Sequence, residues 1–320
     1  MTGPAAPRGP EPRGPEQLGP ERTPSAGRPG QGAARRAARA LRRVPGVVTA
    51  SMILLLGVVA LVVLPVAPDA LTQDILLGTT PAGTPGHPLG TDVLGRDVLA
   101  LTLAGARSAV VGPVVIALGS MLIGVLLGTL AGYRGGWVDA VVSRYVDLTL
   151  AMPALLLAIV VAGVVGGGYW ITVLVLVVLF SPGDVRLVRS AVLQHAHRPY
   201  IESTKVLGLP AWRVMARHIL PNVRPLILTN MFLNVAYALV SMSGLSYLGL
   251  GVPPGAADWG RQLADGRDVL FDNPAASVVP GLAIILTATA VNLVGDWLAE
   301  RFESGAFGAS AGDIETEVRA

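Results

Sequence analysis

Residues 194–228 read QHAHRPYIESTKVLGLPAWRVMARHILPNVRPLIL and decide how the whole chain is organised. They form a polar, basic island between apolar runs that are long enough to cross a bilayer. The cations in it are Arg198, Lys205, Arg213, Arg217 and Arg224. The positions of its helix-favouring and helix-breaking residues predict a short helix at Tyr200–Leu207, a break at Gly208–Pro210 and a second helix at Trp212–Leu220. A helical pair that is too polar to enter the bilayer is typical of a docking surface.

The composition places the chain among integral membrane proteins. Of its 320 residues, 52% are hydrophobic and only 14% are charged, and the mean hydropathy is +0.59. The chain contains no cysteine, which excludes disulfides and thiolate chemistry. Composition therefore predicts a membrane-embedded protein, and the long apolar runs described next predict that it is all-α.

Six apolar segments predict six membrane spans. They are Val47–Val66, Ala109–Ala131, Leu148–Val165, Tyr169–Phe180, Leu226–Leu250 and Val278–Leu298. Arg107 and Pro113 interrupt the second run, which predicts an interfacial helix up to Arg107 and a span after it. The polar stretch from Gly132 to Asp147 is expected to be a connection, and the fourth span to continue past Ser181-Pro182.

The distribution of positive charge predicts the orientation of these spans. Twenty of the 24 Lys and Arg residues fall in the two terminal segments, the loop after the second span and the polar region from Ser181 to Pro225 that contains most of the basic island. The remaining loops hold four arginines and eight aspartates. Because positive residues stay on the cytoplasmic side, both termini and the island are predicted to be cytoplasmic.

Three regions are expected along the chain. Residues 1–46 are rich in Pro, Gly and Arg and predict a disordered cytoplasmic tail. Residues 47–302 form the membrane-spanning domain, and residues 303–320 a short cytoplasmic tail.

The basic island resembles the cytoplasmic "EAA" loop of ABC-importer membrane subunits, in the branch that serves dipeptides, oligopeptides and nickel. Glu202, then Gly208 six residues on, then Leu220-Pro221 keep the spacing of that loop. Ser203 and Thr204 replace the two alanines of the family. Both are weaker helix formers than alanine, so a looser first turn is expected.

The resemblance extends from about His87 to Phe302. HPLGTDVLGRDVLA at residues 87–100, SYLGLGVPP at 246–254 and WGRQLADGRD at 259–268 look like further blocks of the same family. Several blocks in the right order are more specific than any one of them.

The resemblance implies a fold, a function and partners. The fold is that of a type I ABC-importer permease in the cell membrane, with a cytoplasmic coupling helix between spans four and five. The implied function is import of di- or oligopeptides, with nickel as the alternative cargo. The implied partners are two ATPase subunits that bind ATP-Mg, a homologous second permease and an extracytoplasmic substrate-binding protein. No cofactor, metal, catalytic residue or nucleic acid is expected.

A polar face on the fifth span is the candidate translocation path. Asn230, Asn234, Tyr237 and Ser241 follow helical spacing and share one face. Polar residues inside a membrane either line a substrate path or hydrogen-bond between helices. Both interpretations remain open at this point.

Two further patterns bear on function. The chain has no G-x-x-x-x-G-K-[ST] motif, so it is not expected to hydrolyse ATP itself. A proton-coupled transporter of another class would need titratable groups deep in the membrane, and the sequence offers only Asp296, near a span end, for that role.

Gly124, Gly128 and Gly132 form overlapping small-xxx-small motifs, which predict close helix packing, with a sister subunit as one candidate partner.

Overall fold

The computed structural model describes Gly3, residues 45–64 and residues 67–318, and leaves the side chains of Pro45, Lys205 and residues 302–318 undescribed. The chain divides into two units, Met1–Arg43 and Val44–Ala320. The expected tail at 1–46 therefore lies almost wholly outside the described residues.

The described part is helical, with two isolated β-bridges and no strand. The helices are α1 Pro45–Val63, α2 Val98–Arg134, α3 Gly136–Leu150, α4 Ala154–Val165, α5 Tyr169–Ala196, α6 Pro199–Val206, α7 Ala211–Val214, α8 Leu220–Tyr247, α9 Trp259–Gly266 and α10 Ala275–Val318. Within residues 45–64 and 67–318, five helical segments are long and apolar enough to cross a membrane, and six if the bent pair α3–α4 counts as one span. The all-α, multi-span prediction is confirmed.

The second span differs from its prediction. No interfacial helix ends near Arg107: α2 runs unbroken through Arg107 and Pro113 for 37 residues, or about 55 Å. Such a helix is longer than the ~30 Å hydrocarbon core and extends beyond it. Proline removes only one backbone donor, and long packed helices in membranes tolerate that loss. Pro113 itself is buried against its neighbours.

The third span is also not the straight helix that was predicted for Leu148–Val165. The expected connection at Gly132–Asp147 is largely helical, as the end of α2 and most of α3, and α3 meets α4 at a bend of 85°. The bend lies at Pro153, which cannot donate to the preceding turn and restricts the residue before it. The 12 residues of α4 span only about 18 Å.

The second helix of the basic island is not separate from the fifth span. A segment from Ala211 to Tyr247 is continuous, and one π-helical turn at Met215–Ile219 lies inside it. The N–H of Leu220 donates to the carbonyl of Met215, five residues back. Pro221 and Pro225 remove donors in the next turn, which explains why the hydrogen-bond pattern shifts here.

The glycine motif of α2 packs within this chain. A Cβ at Gly124 would lie 2.4 Å from the Cβ of Asp184, and one at Gly128 would lie 2.8 Å from the carbonyl oxygen of Val185. Glycine therefore lets α2 and α5 approach backbone to backbone. The partner of this face is α5, not a sister subunit.

Candidate functional site

The loop formed by the basic island is organised by the end of α6. Gly208 has φ +72°, the left-handed conformation that closes a helix. The N–H of Leu209 donates to the carbonyl of Thr204 at 3.2 Å, which is the six-to-one bond of a Schellman motif. A Cβ at Gly208 would meet no atom within 4 Å. This glycine is thus needed for its backbone conformation and not for space.

A buried apolar cluster fastens the loop to the membrane helices. Ile201, Val214 and Ile219 are fully buried and pack with Val188 and Val192 of α5. Met121 of α2 belongs to the same cluster. Burying such side chains stabilises the contact by about 1.5–3 kcal/mol each. Movement of the loop must therefore move the helices on which it rests.

The opposite side of the loop is apolar but uncovered. Val206 is 89% and Trp212 63% exposed, and Leu207 and Tyr200 are exposed beside them. The guanidinium of Arg213 stacks on the ring of Trp212, 5.4 Å from its centroid. An exposed apolar patch with charged neighbours is typical of a protein-binding surface.

The predicted loop residues are divided between the exposed side of the loop and the side that packs on the membrane helices. Glu202, Ser203, Gly208 and Pro221 are exposed, whereas Thr204 is buried. Ser203 and Thr204 do not prevent helix formation, because both lie inside α6 and donate to the carbonyls of Pro199 and Ile201. Leu220 is half-buried at the start of α8.

The structure brings the two asparagines of α8 to a residue that the sequence analysis did not single out. The amide nitrogen of Asn230 lies 2.7 Å from Oδ1 of Asp184. That of Asn234 lies 2.8 Å from Oδ1 and 2.9 Å from Oδ2. Asp184 belongs to α5 and is only 2% exposed. Ser120 of α2, fully buried, also interacts with the carboxylate.

Asp184 was missed because it follows Ser181-Pro182-Gly183 and falls in the polar region from Ser181 to Pro225, which was read as a loop between spans. A fourth span that continues past Pro182 places it inside the membrane-spanning helix, and that continuation was predicted. A buried titratable group therefore lies within a span, whereas the sequence predicted only Asp296, near a span end. Tyr237 and Ser241 lie further along the face: Tyr237 is exposed and Ser241 half-buried.

The opposite end of the molecule is held by an ion-pair network. Arg96 is 3% exposed, and its guanidinium contacts Asp92 at 2.6 Å and Asp265 at 3.4 Å. Trp259 is buried, and its indole donates to the carbonyl of Thr102 at 2.7 Å. Arg96 and Trp259, expected on an outer surface, are thus internal supports that fix α9 against the start of α2.

Asp258 is a buried carboxylate in this region, in addition to Asp92. It caps α9 by accepting from the N–H of Arg261, and it accepts from the hydroxyl of Ser108. Burial raises the pKa of the Asp258 carboxyl above its usual range, and these hydrogen bonds oppose the rise. Among the residues that the structure describes, no group of three or more His, Asp or Glu side chains could hold a metal ion.

Comparison with known proteins agrees with this geometry. The family of binding-protein-dependent transport system inner membrane components matches residues 124–307. The glutathione transport system permease protein GsiD of Pectobacterium atrosepticum is 38% identical over 68% of this chain and 72% of its own length. A Brucella suis protein whose name assigns it provisionally to peptide permeases is 36% identical over the same shares.

A solved structure supports the fold. A chain of the MetNI methionine ABC transporter, in an inward-facing conformation, superposes with a TM-score of 0.50, covering 63% of this chain and 95% of that one at 16% identity. At this identity the likeness concerns the fold alone. The family match spans more than half of the sequence and includes the loop, α5 and α8. The chain is therefore a membrane-spanning permease subunit of the ABC-importer family, an inner membrane component of a binding-protein-dependent transport system.

Proposed function

We propose that this subunit carries di- or oligopeptides into the cell. The observation that carries the proposal is the cytoplasmic loop, whose apolar face is exposed while its other face is packed on the membrane helices. The names of the relatives support the cargo, since they refer to glutathione and to peptides. Nickel is the alternative cargo.

The exposed face of the loop docks into a groove of an ATPase subunit. Val206, Leu207 and Trp212 supply the apolar contact, and Glu202 and Arg213 supply charge at its rim. Two such ATPases bind ATP-Mg, and this chain contributes no nucleotide site of its own. A homologous second permease and an extracytoplasmic substrate-binding protein complete the importer. Both termini and the loop are cytoplasmic.

The loop is connected to the path by two helices. Asp184 lies 12 residues before the end of α5 at Ala196, and Asn230 lies 10 residues after the start of α8 at Leu220. These separations correspond to about 18 Å and 15 Å. Closure of the ATPases moves the loop, and the buried cluster at Ile201 and Val214 passes that movement to α5 and α8 together. The polar face of α8 then opens to the outer side, where the binding protein releases its cargo.

The test is to purify the tagged chain from membranes in mild detergent and to identify all retained proteins by mass spectrometry. We expect two ATPase chains and one further permease in fixed ratio, and ATP-driven uptake of a radiolabelled tripeptide once the complex is reconstituted with its binding protein. Uptake of nickel but of no peptide would assign the other cargo. Purification of the chain alone, with uptake driven by a proton gradient, would contradict the proposal.

A further inference from the structure

We propose that Asp184 is a positioning residue that makes the polar face of α8 electronegative and therefore selective for the ammonium and N–H groups of the cargo. The inference rests on the proposed function, because it assumes that this face lines the path. The proposed coupling mechanism does not use the charge of Asp184. The present proposal gives that charge a function.

The hydrogen-bonding chemistry of the cluster fixes which way the amides point. An ionised carboxylate only accepts hydrogen bonds, and the carboxamide of asparagine has one donating and one accepting arm. Asn230 and Asn234 must therefore both turn their NH2 groups to Asp184, as the three N–O distances of 2.7–2.9 Å show. The carbonyl oxygens are left as the free arms of both amides.

These oxygens are available to a ligand. Neither carbonyl oxygen accepts a hydrogen bond from the residues that the structure describes, and neither is among the buried polar atoms that lack a hydrogen-bond partner. Both side chains are half-buried, in contrast to Asp184. The face thus presents two acceptors one helical turn apart, held in place by a carboxylate behind them.

The partners of Asp184 suit the ionised form of its carboxyl group. They are neutral amides and a hydroxyl, all of which can donate to it, and the ion pairs between described residues do not include it. In a medium of low polarity, a charge acts over a longer distance than in water. The carboxylate and the oriented amides together give this face a negative potential, which suits the α-ammonium end of a peptide.

Because this chain has no cysteine, a thiol introduced into it can be followed in the complete importer by measuring label on this subunit alone, after the subunits are separated by denaturing electrophoresis. Tyr237→Cys places a single thiol one turn beyond Asn234, and its labelling rate is measured with two membrane-impermeant thiosulfonates of similar size, one a trimethylammonium and one a sulfonate. Each rate is divided by the rate of that reagent with a free thiol in solution. We expect the cationic reagent to be favoured by roughly five-fold or more. Asp184→Asn should lower the ratio of the cationic to the anionic normalised rate towards one, and Asp184→Glu should keep the ratio of the wild-type background.

Two controls separate the possible failures. Phe271→Cys, on an exposed loop, should show a charge ratio that Asp184→Asn does not change. If the Tyr237→Cys thiol is labelled but shows no charge preference, or keeps it in Asp184→Asn, the inference is wrong although the face still lines the path. If no reagent reaches the thiol with or without ATP, the path assignment itself fails. Should Asp184→Asn not assemble, Asn234→Leu removes one oriented amide and must also lower the preference.

Discussion

Gly208 is a residue whose proposed part in coupling depends on its backbone conformation. Its left-handed φ closes α6, and any other residue there is strained by roughly 1 kcal/mol. We expect Gly208→Ala to loosen the loop and to lower peptide uptake several-fold while the importer still assembles. Gly183→Ala is the matched control, because that glycine is helical and its added Cβ would also meet no atom within 4 Å. Wild-type uptake by Gly208→Ala would contradict the role given to this residue.

Gly124 is required for a different reason, which is space. A Cβ at this position would lie 2.4 Å from the Cβ of Asp184. Gly124→Ala should force α2 and α5 apart and destabilise the protein by about 1–3 kcal/mol, measured as a lower Tm in detergent. Gly163→Ala in α4, where the added Cβ meets nothing within 4 Å, should leave Tm unchanged or slightly raised. Equal Tm values for the two variants would show that the helices relax without cost.

Asp258 predicts a pH dependence of stability. Because burial raises its pKa in the folded protein, the protonated form favours folding. Its contribution is fully present below the unfolded pKa and is lost as pH rises through the folded pKa. Asparagine caps helices as well as aspartate does and does not titrate. Asp258→Asn should therefore gain stability relative to wild type as pH rises, seen as a growing Tm difference that levels off. A constant difference between pH 4 and pH 8 would refute this.

The elements differ in how well their sequences predict them. The loop helix, its break at Gly208 and the continuation of α5 follow from local signals. The bend at Pro153 and the unbroken course of α2 through Pro113 do not, because each proline's effect depends on which helices surround it. The burial of Asp184 is likewise not visible in its local sequence, which is polar. Only the packing of α2 and α8 against α5 shows that its carboxylate is buried among amides.

The loop is the element whose surface can be tested directly. If its exposed apolar face docks an ATPase, Val206→Asp should abolish co-purification of the ATPase chains while the second permease is retained. Burying an unpaired charge in an apolar contact is strongly unfavourable. Val93→Asp alters an exposed valine on a different loop and should leave the complex intact. Loss of the ATPase in both variants would point to general misfolding.

For the whole molecule, charge distribution and packing give independent information. The charge count predicts which side each loop faces but nothing about contacts between loops. The structure shows that residues 87–97 and 258–273 are joined, for example by the side-chain amide of Asn273 donating to the carbonyls of Leu89 and Thr91. Both segments belong to the side with few arginines. Their contact agrees with the prediction that both segments lie on one side of the membrane, and the assignment of that side to the outside stays a prediction.

That orientation can be measured on intact cells, again because the chain has no cysteine. Phe271 is 98% exposed, and Arg217, which the proposed docking face does not include, is also exposed, so a thiol at either position should be free to react. We expect an impermeant maleimide to label Phe271→Cys from outside and to label Arg217→Cys only after the membrane is made permeable. The positive-inside rule requires this order, since Arg217 lies in the basic island. The reverse order would place the coupling loop outside the cell, where it could not meet an ATPase.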